Sequence, residues 1–219
     1  MKSIMINPIL PSIPRIVPIP SSETAIAILT YTAFLLLVGM TAFFISLYAA
    51  GHFKGNKKKT AFAFVGIAVA ISALLLYFFG CAVSAVQGIL LCLILAYSSY
   101  SDIKTRESDD YLALMIVLTA FIGREVSDIP GMLLSAVLIT IPMLLVLIIC
   151  KGKTIGGADI KLTAACAFLL GISRGIVGLT AGLIIGIVAN LIIQSKKEEP
   201  EGFPMIPYLA VGFMTAYFL

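Results

Sequence analysis

Eight long apolar stretches occupy most of this 219-residue chain and limit what it can fold into. They cover residues 25–50, 60–80, 81–101, 111–123, 129–150, 160–173, 175–193 and 203–219. A helix needs about 20 apolar residues to cross the ~30 Å hydrocarbon core of a bilayer. Only 12% of the residues are charged, which is too few to cover the surface of a soluble protein. We therefore predict an all-α, polytopic transmembrane bundle of about eight spans.

The boundaries of this bundle follow from local composition. The stretches 111–123 and 160–173 are short, and an aspartate-bearing segment before each is expected to supply its first turns. Residues 60–101 are too many for one span, so we predict a turn near Gly80. Five prolines in residues 1–23 interrupt any helix there, which predicts an extended or surface-lying tail. The predicted organisation is a proline-rich tail (1–23), two transmembrane helices (24–80) and a six-helix core (81–219).

The lysine and arginine residues predict the orientation, because cytoplasmic loops carry an excess of them. With the amino terminus outside, eleven of these residues fall in inner loops and four in outer segments. The inner residues are Lys54, Lys57, Lys58, Lys59, Lys104, Arg106, Lys151, Lys153, Lys161, Lys196 and Lys197; the outer ones are Lys2, Arg15, Arg124 and Arg174. We therefore predict a multi-pass protein of the plasma membrane with both termini outside.

Several classes of function are disfavoured by composition. The basic residues are scattered over short loops, which does not indicate a nucleic-acid partner. The four cysteines lie in or beside apolar stretches and form no CxxC pair, which argues against a zinc or disulfide framework. His52 is the only histidine, so a histidine-based metal site or catalytic triad has little support. We predict no metal and no cofactor.

Two aspartates fall at the same predicted depth, the cytoplasmic edge of the lipid. Asp102 ends the third predicted span and Asp159 opens the sixth. A carboxylate at this depth is costly unless it faces protein or water. One such aspartate alone could be a snorkelling charge or a carboxylate at a helix amino terminus, where the helix dipole favours it. Two of them, each beginning a short polar motif, favour a shared role.

A pair of carboxylates has a defined chemistry if the two groups meet. They cannot both ionise cheaply, so the pair holds one shared proton. The charged member can then activate water as a general base, while the protonated member polarises a peptide carbonyl as a general acid. Gly156 and Gly157 lack a Cβ, so backbone or substrate can approach Asp159 closely. The topology permits Asp102 and Asp159 to meet but does not require it.

The segment "SDIKTRESDDY" (101–111), "GGADIKL" (156–162) and the late "IPYLAVG" (206–212) together resemble the type IV prepilin peptidase family, including archaeal preflagellin peptidases. The resemblance covers roughly residues 85–219. It implies that Asp102 and Asp159 are the catalytic aspartates of a GxGD-type peptidase. It also implies substrate-binding or site-supporting positions at Lys104, Arg106, Asp110, Gly156, Gly157 and Lys161.

The same resemblance implies an activity and a substrate class. Members are membrane aspartic endopeptidases that need no metal for their chemistry. They remove the short basic leader of prepilin- or archaellin-like precursors, whose signal peptides are of class III, at the cytoplasmic face. The expected partners are therefore these precursors and membrane lipid.

Three features depart from the family pattern. The glycine before the second aspartate is Ala158, and Ser108-Asp109 stand where Ile-Pro is frequent. The paired CxxC loop of many bacterial members is absent. That absence disfavours a zinc-bearing cytoplasmic domain and amino-terminal methylation, and it favours the archaeal type of enzyme.

Two rival functions remain open at this stage. The first is a presenilin- or signal-peptide-peptidase-like intramembrane protease, which shares the GxGD pattern; Lys104 and Arg106, directly after Asp102, argue for a shallower site than that class has. The second is a small proton- or cation-coupled transporter. Inverted repeats would favour a transporter, and none is visible in the sequence.

Overall fold

The computed structural model describes residues 21–53, 56–149, 156–194 and 203–219, and all regular structure within these ranges is helical. The helices are α1 (Ser21–His52), α2 (Lys57–Phe79), α3 (Val83–Thr105), α4 (Asp110–Ala120), α5 (Ile129–Ile149), α6 (Gly157–Gln194) and α7 (Ile206–Tyr217), with a 3-10 turn at Val126–Asp128. The all-α prediction is confirmed. The predicted tail lies outside the described residues up to position 20, as do Lys54, Cys150, Lys151, Lys153, Lys196 and Lys197.

Five helices in the described ranges are long and apolar enough to cross a membrane. They are Ile28–His52, Lys57–Phe79, Val83–Thr105, Val126–Ile149 and Gly157–Ile192. The apolar helices α4 and α7 are shorter, with 11 and 12 residues. The protein is thus a multi-pass membrane protein. The count of eight spans and the division at residues 23 and 80 stay predictions.

Helix α6 reverses its direction in the middle. Gly171 has φ 80° and ψ 179°, which is not helical. A Cβ placed on Gly175 would lie 3.5 Å from the Cα of Ala167, although residues eight positions apart in a straight helix are about 12 Å apart. The chain therefore folds back, and α6 consists of a first arm (157–170) and a second arm (172–194). The two predicted stretches 160–173 and 175–193 correspond to these arms.

The predicted turn near Gly80 is also found. Helix α2 ends at Phe79, and Gly80 follows with φ 63° while its amide bonds to the carbonyl of Leu76. A positive φ of this size is free of steric cost only for glycine. Helix α3 then begins at Val83, so α2 and α3 run in opposite directions.

Small residues bring α7 against the second arm of α6. A Cβ on Gly182 would lie 2.8 Å from the Cα of Leu209, and one on Gly178 would lie 3.1 Å from the Cα of Phe213. These glycines let two helix backbones approach closely, which is the usual way in which membrane helices associate. Gly178, Gly182 and Gly186 therefore form the face of the second arm that packs on α7.

The helix ends define two ends of the bundle. Helix α3 finishes where α4, α6 and α7 begin, and we call this the aspartate end because Asp102 and Asp159 lie there. At the opposite end, α3 begins near the finish of α4 and α7, as shown by bonds from Gln87 to the carbonyl of Thr119 and from Tyr217 to the carbonyl of Ser84. We call this the distal end.

Candidate active site

Asp102 lies in the last turn of α3 and is only 7% exposed. The helix ends just after it because Arg106 adopts a left-handed conformation, with φ 60° and ψ 21°. The hydroxyl of Ser101 donates to the carbonyl of Glu107 at 2.9 Å, and the hydroxyl of Thr105 donates to the same carbonyl at 3.1 Å. These side-chain bonds hold the turn that follows the aspartate.

Helix α7 supplies a backbone partner for this carboxylate. The amide of Ile206 donates to Oδ2 of Asp102 at 3.0 Å, and the amide of Met205 also faces Asp102. Ile206 is the first residue of α7, and a helix amino terminus presents unpaired N–H groups and a partial positive charge to an anion. The segment "IPYLAVG" therefore contributes backbone to the site rather than a side chain.

Asp159 is the third residue of α6 and is 8% exposed. Its Oδ2 accepts a hydrogen bond from the amide of Gly156 at 3.0 Å. A Cβ on Gly156 would lie 3.3 Å from that same oxygen, a tight contact, so glycine suits this position. This hydrogen bond from Gly156 caps the amino terminus of α6, which is the simpler role that the sequence allowed for a single aspartate. The bond uses only Oδ2 of Asp159. A capping carboxylate can do this while exposed to solvent, so capping alone does not explain why Asp159 is buried.

Asp102 on α3 and Asp159 on α6 lie at the same end of the bundle. The carboxylate of Asp102 is near enough to act electrostatically on that of Asp159. Each uses Oδ2 for its backbone hydrogen bond, and neither of these bonds involves Oδ1. No cluster of three or more histidine, cysteine or acidic residues suited to a metal exists in the described ranges.

Three of the remaining predicted site residues, Asp110, Lys161 and Arg106, form a rim at the same end of the bundle. Lys161 contacts both carboxylate oxygens of Asp110 at 2.7 Å, and both side chains are exposed. This pair links the starts of α4 and α6, although an exposed ion pair contributes only ~0–1 kcal/mol to stability. Arg106 is exposed and interacts electrostatically with Asp102.

Two predicted residues stand apart from the carboxylates in this structure. The ammonium group of Lys104 lies 5.9 Å from the ring centroid of Tyr100. Gly157 is exposed, and a Cβ placed on it would meet nothing within 4 Å. Of the two glycines expected to allow close approach, only Gly156 lies against the carboxylate of Asp159.

The sequence reasoning missed two polar features near the aspartates. Ser108, at a position that departs from the family pattern, lies 2.8 Å from the hydroxyl of Ser98 and so ties the loop to α3. Thr163 is fully buried, and its hydroxyl has no partner within the described part of the chain. Thr163 follows Asp159 by four residues, so both lie on one face of α6. This spacing is the feature of the sequence that could have predicted its place near the site.

Two buried carboxylates at one end of a helical membrane bundle suit a hydrolase or a cation-handling protein. Comparison with known families distinguishes these classes. Residues 89–191 match the model of the type IV leader peptidase family. The match confirms the family resemblance and implies a membrane peptidase whose substrates carry a leader peptide. No curated protein and no solved structure matches the chain.

The matched segment contains both aspartates and the whole of α4 and α5. Helices α1 and α2 lie before it, and α7 lies after it. The amide of Ile206, which contacts Asp102, thus comes from outside the matched residues.

Proposed function

We propose that the protein is a membrane aspartic endopeptidase that removes the short basic leader of prepilin- or archaellin-like precursors at the cytoplasmic face. The single observation that carries the proposal is the burial of Asp102 and Asp159 at one end of the bundle, close enough to interact, within a segment that matches leader peptidases. The class III signal peptide of such precursors would present the cleaved bond next to an apolar segment.

In this proposal Asp102 and Asp159 share one proton. The ionised carboxylate accepts a proton from a water molecule, whose oxygen attacks the carbonyl carbon of the leader's last peptide bond. The protonated carboxyl donates its proton to the carbonyl oxygen. As the tetrahedral intermediate collapses, the carboxyl that took a proton from water gives it to the leaving amine, and a hydroxyl proton of the intermediate returns to the other carboxylate. The backbone bonds from Ile206 and Gly156, each to Oδ2, orient the two carboxylates toward water and substrate.

Supporting roles follow from the rim. Arg106 adds positive charge beside Asp102, and the ion pair of Lys161 with Asp110 holds the first turns of α4 and α6 together. Lys104, Gly156 and Gly157 complete the set proposed to contact substrate or to shape its approach. No metal or cofactor enters the proposed chemistry.

The proposed orientation places the aspartate end in the cytoplasm and gives the bundle eight spans. Most described basic residues support it by their position: Lys57, Lys58, Lys59, Lys104, Arg106 and Lys161 lie at the aspartate end, while Arg124 and Arg174 lie at the distal end. An excess of lysine and arginine marks the cytoplasmic side of a membrane protein.

An apolar groove of about 730 Å³ lies between α2, α3 and α7 and extends from the aspartate end toward the distal end. Ile103, next to Asp102, and Pro207, next to Ile206, line its near end, and Phe78 and Phe218 line its far end. Because Ile103 and Pro207 directly follow Asp102 and Ile206 in the chain, we propose that the groove receives the apolar segment that follows the leader. The cleaved bond would then lie beside Asp102.

Filling this groove should weaken cleavage. Ala63 is exposed on α2 and lines the groove, and Ala63→Phe is expected to raise KM about tenfold with kcat little changed, which corresponds to ~1.4 kcal/mol of binding. Ala33→Phe is the control, since Ala33 is exposed on α1 away from the groove. Steady-state kinetics on a purified precursor would show the difference. Equal kinetics for the two variants would remove the groove from substrate binding.

The proposed activity is tested by co-expressing the chain with precursors that have a basic leader ending in glycine before an apolar segment. Mass spectrometry of the product locates the cut. A cut at the junction of leader and apolar segment is expected. A cut inside the apolar segment would indicate an intramembrane protease instead. No cut in any of several precursors, together with proton-coupled uptake by vesicles containing the protein, would indicate a transporter.

A further inference from the structure

Besides the apolar groove, the structure has a cavity with polar lining at the distal end, away from the aspartates. Its volume is about 250 Å³. The start of α3, the loop between α4 and α5, the reversal of α6 and the end of α7 enclose it. The proposed peptidase chemistry makes no use of this cavity.

Two arginines line the cavity, and each follows a glycine with positive φ. Arg124 comes directly after Gly123, which has φ 73° and packs so closely on Val83 that an added Cβ would lie 2.8 Å from Val83 Cγ1. Arg174 comes three residues after Gly171, in the first turn of the second arm of α6. Side chains larger than hydrogen are disfavoured at these turns, so the backbone that carries both arginines is tightly constrained.

The guanidinium groups of Arg124 and Arg174 both lie near the side chain of Tyr217. Each is close enough to the hydroxyl of Tyr217 to interact with it electrostatically. In the described part of the chain, the ion pair present involves neither Arg124 nor Arg174. The neighbouring acids Glu125 and Asp128 are engaged in a reciprocal capping interaction around the 3-10 turn. Two positive charges thus face one cavity without a carboxylate partner.

The polar floor of the cavity is held in place by hydrogen bonds. Gln87 is 6% exposed, and its Nε2 donates to the carbonyls of Thr119 at 3.0 Å and Ile122 at 3.3 Å. The hydroxyl of Tyr217 donates to the carbonyl of Ser84 at 2.6 Å and lies 3.2 Å from Oε1 of Gln87. This network joins α3, α4 and α7, so the cavity is part of the packed structure.

We propose that this cavity binds a phosphoryl group, held by Arg124 and Arg174. Guanidinium groups bind phosphate oxygens with two parallel hydrogen bonds, and a phosphate would offset the repulsion between the two arginines. The amino terminus of the second arm adds a partial positive charge on the same side. Apolar walls from Phe79, Val83 and Leu169 suit the carbon chain of a phosphate ester.

Two sources share this chemistry: the headgroup of an anionic phospholipid and free phosphate. The distal arginines lie at helix ends, where a multi-pass protein meets headgroups. The proposal is independent of the peptidase function, because binding is measured without any precursor.

The test uses the purified full-length protein in neutral detergent. Tm is measured after addition of phosphatidylglycerol, phosphatidylcholine or inorganic phosphate, and native mass spectrometry counts bound lipid. The wild type is expected to gain about 3 °C or more with phosphatidylglycerol over phosphatidylcholine. The double variant R124Q/R174Q should lose this gain. The double variant K58Q/K59Q removes the same charge from exposed lysines at the aspartate end and should keep it.

Each outcome decides the proposal. A gain from inorganic phosphate that requires the arginines, with none added by phosphatidylglycerol, supports the same site with free phosphate as the ligand. An equal gain in R124Q/R174Q and the wild type overturns the proposal, as does an equal loss in K58Q/K59Q. If R124Q/R174Q does not fold, the single variant R174Q replaces it: a reduced gain supports the proposal, and an unchanged gain overturns it.

Discussion

Asp102→Asn and Asp159→Asn are each expected to lower the rate of leader cleavage about 10³-fold or more. Asparagine is nearly the same size as aspartate but cannot hold or release the shared proton. Its side-chain oxygen can still accept the bond from Ile206 at position 102 or from Gly156 at position 159. The loss should therefore fall on kcat, with the folded protein and its Tm largely retained. Single-turnover cleavage of a purified precursor would measure it.

Asp128→Asn is the matched control for these two variants. Asp128 lies at the distal end in the 3-10 turn, and an asparagine there can still accept from the amide of Glu125. Its cleavage rate should stay within about twofold of the wild type. If Asp102→Asn or Asp159→Asn cleaved as fast as this control, the residue concerned would have no place in the chemistry. Loss in only one of the two would exclude a paired-aspartate mechanism.

Gly212→Leu is expected to prevent normal folding, with a loss of about 3 kcal/mol or more in the free energy of unfolding. A Cβ on Gly212 would lie 2.7 Å from the Cα of Gly182 and closer still to the carbonyl oxygen of Gly178. These are backbone atoms of the facing helix, so no side chain can move aside. The second arm of α6 and α7 would have to separate. Since α7 also supplies the amide that bonds Asp102, cleavage should be lost as well.

Gly66→Leu is the control for this variant. Gly66 is exposed on α2, and a Cβ there would meet nothing within 4 Å. Leucine also has a higher helix propensity than glycine, by up to ~1 kcal/mol. Its Tm and its elution in size-exclusion chromatography should match the wild type or improve on it. A Gly212→Leu protein that behaved like Gly66→Leu would show that α6 and α7 do not pack as closely as the contacts of Gly212 require.

The helices themselves were largely predictable. A chain in lipid must satisfy its backbone polar groups within each segment, so long apolar stretches become helices whatever their partners. The predicted stretch 129–150 corresponds to α5 at Ile129–Ile149, and the turn near Gly80 was found where the chain was too long for one span. The position at which α6 reverses was predicted less accurately. Gly171 lies inside the stretch 160–173, and nothing local distinguished it from the other glycines that follow.

Within the candidate site, the sequence alone determined which residues to consider. The motifs around Asp102 and Asp159 identified both carboxylates, because the cost of a charge at the membrane edge makes each aspartate exceptional in so apolar a chain. Only the tertiary structure decided that the two come together. They stand 57 positions apart (102 to 159), and α4, which contacts both α3 and α6, helps to place them at one end of the bundle. The bond from the amide of Ile206 to Asp102 and the presence of Arg124 and Arg174 in one cavity are also results of packing. Contacts between distant segments depend on the shapes of whole helices and leave no periodic pattern in the sequence.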